Sequence, residues 1–241
     1  MSARSPAAVA AVIEHVGLLP LFYSSSISKA VDMARGCAEG GAGAIEFTNR
    51  GPDAASVFAR LVEIQAQTRP DLVLGVGSVI DVNSADLFIK LGARFVVGPY
   101  FVPAVAKLCK SLRVLYVPGG LTPAEIGRAE QAGAPIVKLF PARSVGPNFV
   151  RDLLGPCPWS RILPTGGVSA DEQGVRGWIR AGAVALGIGS QLIPESSASA
   201  DSAHMVDALA EHVSSILAWI ADERARGSGL VKAGGYASEG L

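Results

Sequence analysis

Two charged side chains interrupt runs that are otherwise apolar. Lys138 stands in Ile136-Val137-Lys138-Leu139-Phe140 and Glu46 in Ala44-Ile45-Glu46-Phe47. An ionised group in a buried strand is costly unless it is paired or solvated at a cavity mouth. The remaining lysines, Lys29, Lys90, Lys107, Lys110 and Lys232, fall on helical or loop segments and read as solvated. An amine with a reference pKa of about 10.4 is nearly all ammonium at neutral pH, and ammonium is no nucleophile. Desolvation in an apolar strand favours the neutral amine and frees its lone pair for attack on a carbonyl carbon. A carboxylate alongside opposes that shift, so Glu46 is expected to act on substrate or water rather than simply clamp the ammonium. The competing reading is a buried ion pair that only fixes packing.

A quasi-repeat indicates how the two residues are positioned. Gly41-Ala42-Gly43-Ala44-Ile45-Glu46, Gly92-Ala93-Arg94-Phe95-Val96-Val97, Gly133-Ala134-Pro135-Ile136-Val137-Lys138 and Gly182-Ala183-Val184-Ala185-Leu186-Gly187 each place a Gly-Ala pair before a short apolar run. That is a helix C-terminal glycine feeding a buried strand. The spacing is about twice that of one βα unit, so each interval should hold a further strand. Those strands are visible near Leu72–Gly75, Val114–Val117 and Arg161–Pro164, with Leu18–Tyr23 opening the series. Between them run helical stripes such as Ile27, Ala30, Val31, Ala34, Cys37 and Ala38, or Val57, Phe58, Leu61 and Ile64. The fold class expected is α/β, a (β/α)8 TIM barrel, with an open doubly wound sheet as the alternative. Glu46, Val97, Lys138 and Gly187 occupy equivalent places in the repeat. On alternate strands they would share one layer, with Glu46 and Lys138 facing a common centre and Val97 and Gly187 leaving room.

An N-terminal helix over about Ala7 to His15 would cover the bottom of the barrel. A C-terminal helix from about Asp201 to Glu223 carries Met205, Leu209, Val213, Ile216, Leu217 and Ile220 on one face. Residues 1–226 are expected to form a single domain, and residues 227–241, rich in Gly and Ser, a flexible tail.

The chain of 241 residues balances 21 basic against 21 acidic side chains, so no general field attracts nucleic acid or an anionic membrane, and any bound anion must be held locally. Three turns are rich in glycine: Gly75-Val76-Gly77-Ser78, Pro164-Thr165-Gly166-Gly167 and Gly187-Ile188-Gly189-Ser190. The last two follow the seventh and eighth expected strands, where backbone amides commonly cradle phosphate in barrels. Ordinary βα turns use glycine as well. Arg50, after the second strand, can hold a carboxylate bidentately, the bland alternative being a solvated loop arginine. His15, His204 and His212 lie outside the strand ends, so no metal is expected. Cys37, Cys109 and Cys157 are unclustered and read as reduced thiols of a cytoplasmic protein. Neither a signal peptide nor a run of about 20 apolar residues is evident.

Taken together and in order, Glu46-Phe47-Thr48-Asn49-Arg50, Gly75-Val76-Gly77-Ser78-Val79, Pro118-Gly119, Lys138-Leu139-Phe140-Pro141-Ala142, Pro164-Thr165-Gly166-Gly167 and Gly187-Ile188-Gly189-Ser190 resemble the 2-dehydro-3-deoxy-phosphogluconate / 4-hydroxy-2-oxoglutarate aldolase family over about residues 17–194. The resemblance implies a class I aldolase on a barrel, a homotrimer needing no metal or other cofactor, with a small-molecule 2-keto acid as substrate, phosphorylated or not. It makes Lys138 the Schiff-base lysine and Glu46 the general acid/base. Arg50, Ser78 and Thr165 would hold the keto-acid carboxylate and Phe140 would pack on the carbon chain. Gly166, Gly167, Gly189 and Ser190 would bind a phosphate. The chain departs from the family pattern at Asn49, where leucine is usual, at Ser78, where threonine is usual, and at Gly98-Pro99-Tyr100, where Tyr100 would add bulk at the mouth. A 2-keto acid decarboxylase using the same lysine and a non-catalytic phosphosugar- or keto-acid-binding barrel are the alternative functions.

Overall fold

The computed structural model describes residues 5–193 and 202–233, with side chains described to residue 227. Strands and helices alternate along the chain. The strands are β1 (Leu18–Phe22), β2 (Ala44–Thr48), β3 (Val73–Gly77), β4 (Phe95–Val97), β5 (Leu115–Val117), β6 (Gly119–Gly120), β7 (Val137–Leu139), β8 (Ile162–Pro164) and β9 (Leu186–Ile188). The helices are α1 (Pro6–Val16), α2 (Ile27–Glu39), α3 (Ala54–Thr68), α4 (Val82–Lys90), α5 (Pro103–Leu112), α6 (Pro123–Gln131), α7 (Pro147–Leu154), α8 (Glu172–Arg180) and α9 (Ser202–Ala233). All strand pairs are parallel, as expected where every crossover is helical. They form an α/β fold with one stretch in the order β5-β4-β3-β2-β1-β9 and another in the order β6-β7-β8.

The repeat glycines behave as their positions require. Gly41, Gly92, Gly133 and Gly182 all have φ between 93° and 111°, ending a helix and turning the chain into the next strand. One strand expected near Val114–Val117 is followed at once by a second short one. Pro118 separates β5 from β6 because it has no N–H to give to a ladder; its carbonyl still accepts from Lys138 N–H at 2.8 Å.

Side chains divide between two cores. Leu19, Ala44, Val73, Phe95, Val97, Leu115, Val117, Ile136, Leu163 and Ala185 cluster on the inner face of the curled strands, and Val9, Ala10 and Ile13 of α1 pack against them. The N-terminal helix therefore plugs one end, as expected. The opposite faces of the strands meet the outer helices. Ile27 is an exception to its expected stripe, 43% exposed at the first position of α2.

The C-terminal helix is longer than its apolar face suggested, so the expected domain boundary after residue 226 falls inside α9. Residues 234–241 of the expected tail lie outside the described residues. Small residues let α9 approach α2: a Cβ on Gly40 would stand 2.6 Å from the Ala210 carbonyl oxygen. Further along, Glu223 is buried and accepts from Arg180 at 2.7 and 3.0 Å and from Arg176 at 3.5 Å. These guanidinium bonds, Arg180 first, hold the Glu223 carboxyl below its usual range. A carboxylate whose pKa is lower in the folded than in the unfolded chain stabilises the fold above the unfolded value of about 4.3, and the contribution fades as pH falls through the folded value. Thermal melts should accordingly show the Tm gap between wild type and Glu223→Gln wide near neutral pH and closing under acid.

Candidate active site

Glu46 and Lys138 come together as the repeat predicts. Glu46 lies on β2, paired through Leu21 to β1 and through Gly75 to β3. Lys138 lies on β7, between Gly119 of β6 and Leu163 of β8. Nζ of Lys138 stands 3.8 Å from Oε1 of Glu46, and the side chains are 7% and 1% exposed respectively. That separation is too long for a hydrogen bond but close enough for strong electrostatic coupling in a shielded place. Oε2 of Glu46 is buried and has no hydrogen-bond partner among the described residues. A buried, unpartnered carboxylate oxygen is an uncompensated cost in a fold that satisfies most of its polar atoms, and it keeps a lone pair free for a further hydrogen bond.

Gly77 has a specific part in this arrangement. A Cβ there would fall 1.7 Å from Oε1 and 2.4 Å from Cδ of Glu46, so the carboxylate occupies space that any other residue would fill. The sequence marks this glycine only as part of a glycine-rich turn, whereas its position makes room for Glu46. Gly77→Ala should push the carboxylate aside and lower kcat about tenfold to hundredfold, the scale of a misplacement near 1 Å. Steady-state kinetics alongside a thermal melt would separate that loss from unfolding.

Beside the pair opens a cavity of about 730 Å³. Lys138, Arg50, Phe140, Thr165, Gly166, Gly167, Gly189 and Ser190, eight of the residues expected at the site, line it. Nζ of Lys138 lies 5.2 Å from the centroid of the Phe140 ring, a distance at which the ring attracts a cation. Gly166, with φ 86°, lies over that ring, and a Cβ on it would stand 2.9 Å from the ring edge. Thr165 fills the space left by Gly187, where a Cβ would meet Oγ1 at 2.2 Å.

Glu46 and Ser78 are the two expected residues that do not line the cavity. Ser78 instead accepts a hydrogen bond from Nε of Arg50 at 3.4 Å, from a backbone held at φ 61°. It props the arginine from behind. Val97, expected to leave room between the charged pair, belongs to the inner core and not to the cavity lining. Tyr100 also departs from expectation. It is 53% exposed and does not line the cavity, and its carbonyl accepts from the Tyr116 hydroxyl at 3.2 Å.

Tyr23 and Arg143 are among the lining residues that the sequence did not mark as site residues. Tyr23 follows β1, stacks near Phe47 with ring centroids 6.0 Å apart, and has its hydroxyl where a Cβ on Gly51 would be. Arg143 follows Phe140-Pro141-Ala142 in a 3-10 turn, Ala142–Ser144. A basic residue so soon after the strand lysine was a usable signal.

The model of the aldolase family described as KDPG and KHG aldolase matches residues 9–209, most of the chain. The chain belongs to this family. Among its relatives in the KDPG and KHG aldolase family, the 2-dehydro-3-deoxy-phosphogluconate aldolase of Treponema pallidum is 31% identical over 206 residues, covering 85% of this chain and 95% of the relative. A solved 4-hydroxy-2-oxoglutarate aldolase/2-deydro-3-deoxyphosphogluconate aldolase superposes with a TM-score of 0.73 at 30% identity, over 87% of this chain and 97% of that one. KDPG aldolase from Legionella pneumophila, solved with pyruvate captured as a covalent carbinolamine, shares the fold with a TM-score of 0.75 at 22% identity, over 88% and 98% of the two chains. The family resemblance seen in the sequence motifs is thus confirmed, and the protein is an aldolase of the lyase class.

Proposed function

We propose that this aldolase cleaves a 2-keto-4-hydroxy acid, such as 2-dehydro-3-deoxy-6-phosphogluconate or 4-hydroxy-2-oxoglutarate, to pyruvate and an aldehyde through a Schiff base on Lys138. The observation that carries the reading is Nζ at the cavity wall, 3.8 Å from a buried carboxylate whose second oxygen is unpartnered. Neutral Lys138 attacks the C2 carbonyl carbon, forming the N–C bond of a carbinolamine, the species found with pyruvate in the Legionella relative. The C2 oxygen leaves as water with one proton drawn from solvent, giving a protonated imine, and that proton is returned when the imine is hydrolysed at the end. Glu46, directly or through a water, takes the proton of the C4 hydroxyl, and the C3–C4 electron pair moves toward the imine nitrogen as that bond breaks. The aldehyde departs and leaves an enamine. Protonation at C3 and addition of water at C2 then release pyruvate and restore the amine. Arg50, propped by Ser78, holds the keto-acid carboxylate with Thr165, Phe140 supports the carbon chain, and Gly166, Gly167, Gly189 and Ser190 receive the far end.

The strands are proposed to close into one (β/α)8 barrel, with β5 and β6 as halves of a single strand. Three contacts support this reading: the Pro118 carbonyl bond to Lys138, the Thr165–Gly187 bridge, and Val184 N–H donating to the Ile162 carbonyl at 3.0 Å. Residues 1–226 would form one domain, assembled as a cytoplasmic homotrimer by analogy with the family. A retro-aldol screen with phosphorylated and unphosphorylated 2-keto-4-hydroxy acids, read by pyruvate release, tests the activity. Carbon dioxide in place of aldehyde would identify a decarboxylase instead.

A further inference from the structure

A second opening, of about 400 Å³, lies between α6 and the segment that joins α7 to β8, and it shares no lining residue with the cavity at Lys138. Among the described residues, three buried side-chain polar atoms lack a hydrogen-bond partner. One is Glu46 Oε2; the other two, Glu130 Oε1 and Ser160 Oγ, belong to residues that line this opening. Such atoms are costly to bury and rarely left unmet. Their surroundings are built. Trp159 Nε1 donates to Glu130 Oε2 at 3.3 Å, which ties the segment before β8 to α6 and leaves Oε1 spare. Cys157 N–H donates to the Leu153 carbonyl at 3.1 Å and Ser160 N–H to the Cys157 carbonyl at 3.0 Å, so the segment is also held by its own backbone. Pro156 and Pro158 fix two further φ angles in it. The Trp159 ring lines the opening yet is 66% exposed, a large aromatic surface that folding leaves in water.

Among the described residues, Glu130 is the one charged side chain lining this opening. A carboxylate oxygen with a free lone pair, a hydroxyl able to accept and an indole face together attract a cation and disfavour an anion. Pro123, Ile126 and Leu153 line the rest and suit a short hydrocarbon body. A bare metal ion is a poor match, since no group of three His, Cys, Asp or Glu among the described residues could hold one. We propose that this opening binds a small organic ammonium ion, whose N–H groups donate to Glu130 Oε1 and Ser160 Oγ beside the Trp159 ring. The site is separate from the lysine chemistry and stands whether or not the Schiff-base reading holds.

The test titrates the full chain with n-butylammonium, n-butanol and butyrate, probes of similar size and different charge, and reads binding by ligand-observed NMR. Wild type should saturate with butylammonium at roughly millimolar concentration and bind the other two at least about tenfold more weakly. Excess pyruvate should leave butylammonium binding unchanged. Glu130→Gln should weaken it about tenfold to hundredfold and Ser160→Ala about threefold to tenfold, the scales of a charge-assisted and an ordinary hydrogen bond. Trp159→Leu should weaken it about twofold to thirtyfold through the lost cation–π contact. None of these residues belongs to the proposed reaction machinery, so retro-aldol turnover in each variant should stay within about twofold of wild type and report an intact fold. No saturation by butylammonium, equal uptake of all three probes, or displacement by pyruvate would overturn the proposal, and none of these needs a variant to fold. Equal affinity in Glu130→Gln and wild type would do the same. So would loss of the protein's assembly in sedimentation of Glu130→Gln, which would give the carboxylate to a lysine or arginine of a second copy.

Discussion

Lys138→Met should reduce retro-aldol turnover about 10,000-fold or more, since it removes the nucleophile on which every covalent step depends. Borohydride added with pyruvate should reduce the imine and leave a mass increment on the peptide containing Lys138 in wild type, and none in the variant. An adduct on another lysine of an active enzyme would end the Schiff-base proposal. Methionine keeps much of the lysine's volume, so the cavity wall should hold its shape. Stability is a separate matter. The change leaves Glu46, 1% exposed, without the basic partner 3.8 Å away, and breaking a buried pair in this way costs about 3–5 kcal/mol. The double variant Lys138→Met/Glu46→Gln should regain part of that stability and none of the activity. If the single variant melted like wild type, the two groups would not be electrostatically coupled in the folded protein.

Glu46→Gln is the second large effect, and its value lies in what it spares. Gln keeps the shape and removes the proton acceptor, so cleavage should slow about 100-fold to 10,000-fold, the usual weight of general acid–base catalysis. Pyruvate capture by borohydride should decline far less, because imine formation needs the amine more than the carboxylate. Equal loss of both would make Glu46 a structural partner of Lys138 and return the pair to the packing role that the sequence left open. The unpartnered Oε2 argues for chemistry: a carboxylate kept only for packing would be expected to have both oxygens satisfied.

Much of this could be read from the chain because the repeat is strict. Helix-ending glycines with positive φ fix where each strand begins, and the strand period of two fixes which residues face inward, so Glu46 and Lys138 could be put on one layer. What stayed hidden depends on backbone direction after the strands. Arg143 reaches the cavity only because a 3-10 turn folds back onto Gly166. Tyr100 misses it, on a turn whose backbone is hydrogen-bonded by Tyr116, sixteen residues on. Gly77 looked like a turn glycine, and only the side chain of a neighbouring strand reveals what its missing Cβ allows. Nor did the apolar face of α9 announce the helix's length, since its last apolar stripe residue, Ile220, stands well before the helix end at Ala233.

Arg224 of α9 donates to the carbonyls of Glu14, His15 and Val184, while His212 on the same helix bonds the carbonyls of Leu192 and Ala170. Every group proposed for chemistry is synthesised by residue 190, and the element that ties the first helix to the last strand follows only after them. A nascent chain would therefore own its reactive amine before it owned a rigid pocket, and competence should arrive only once α9 has emerged and can dock. Stalled chains ending before and after Arg224, assayed for pyruvate capture, would show at which length the enzyme matures.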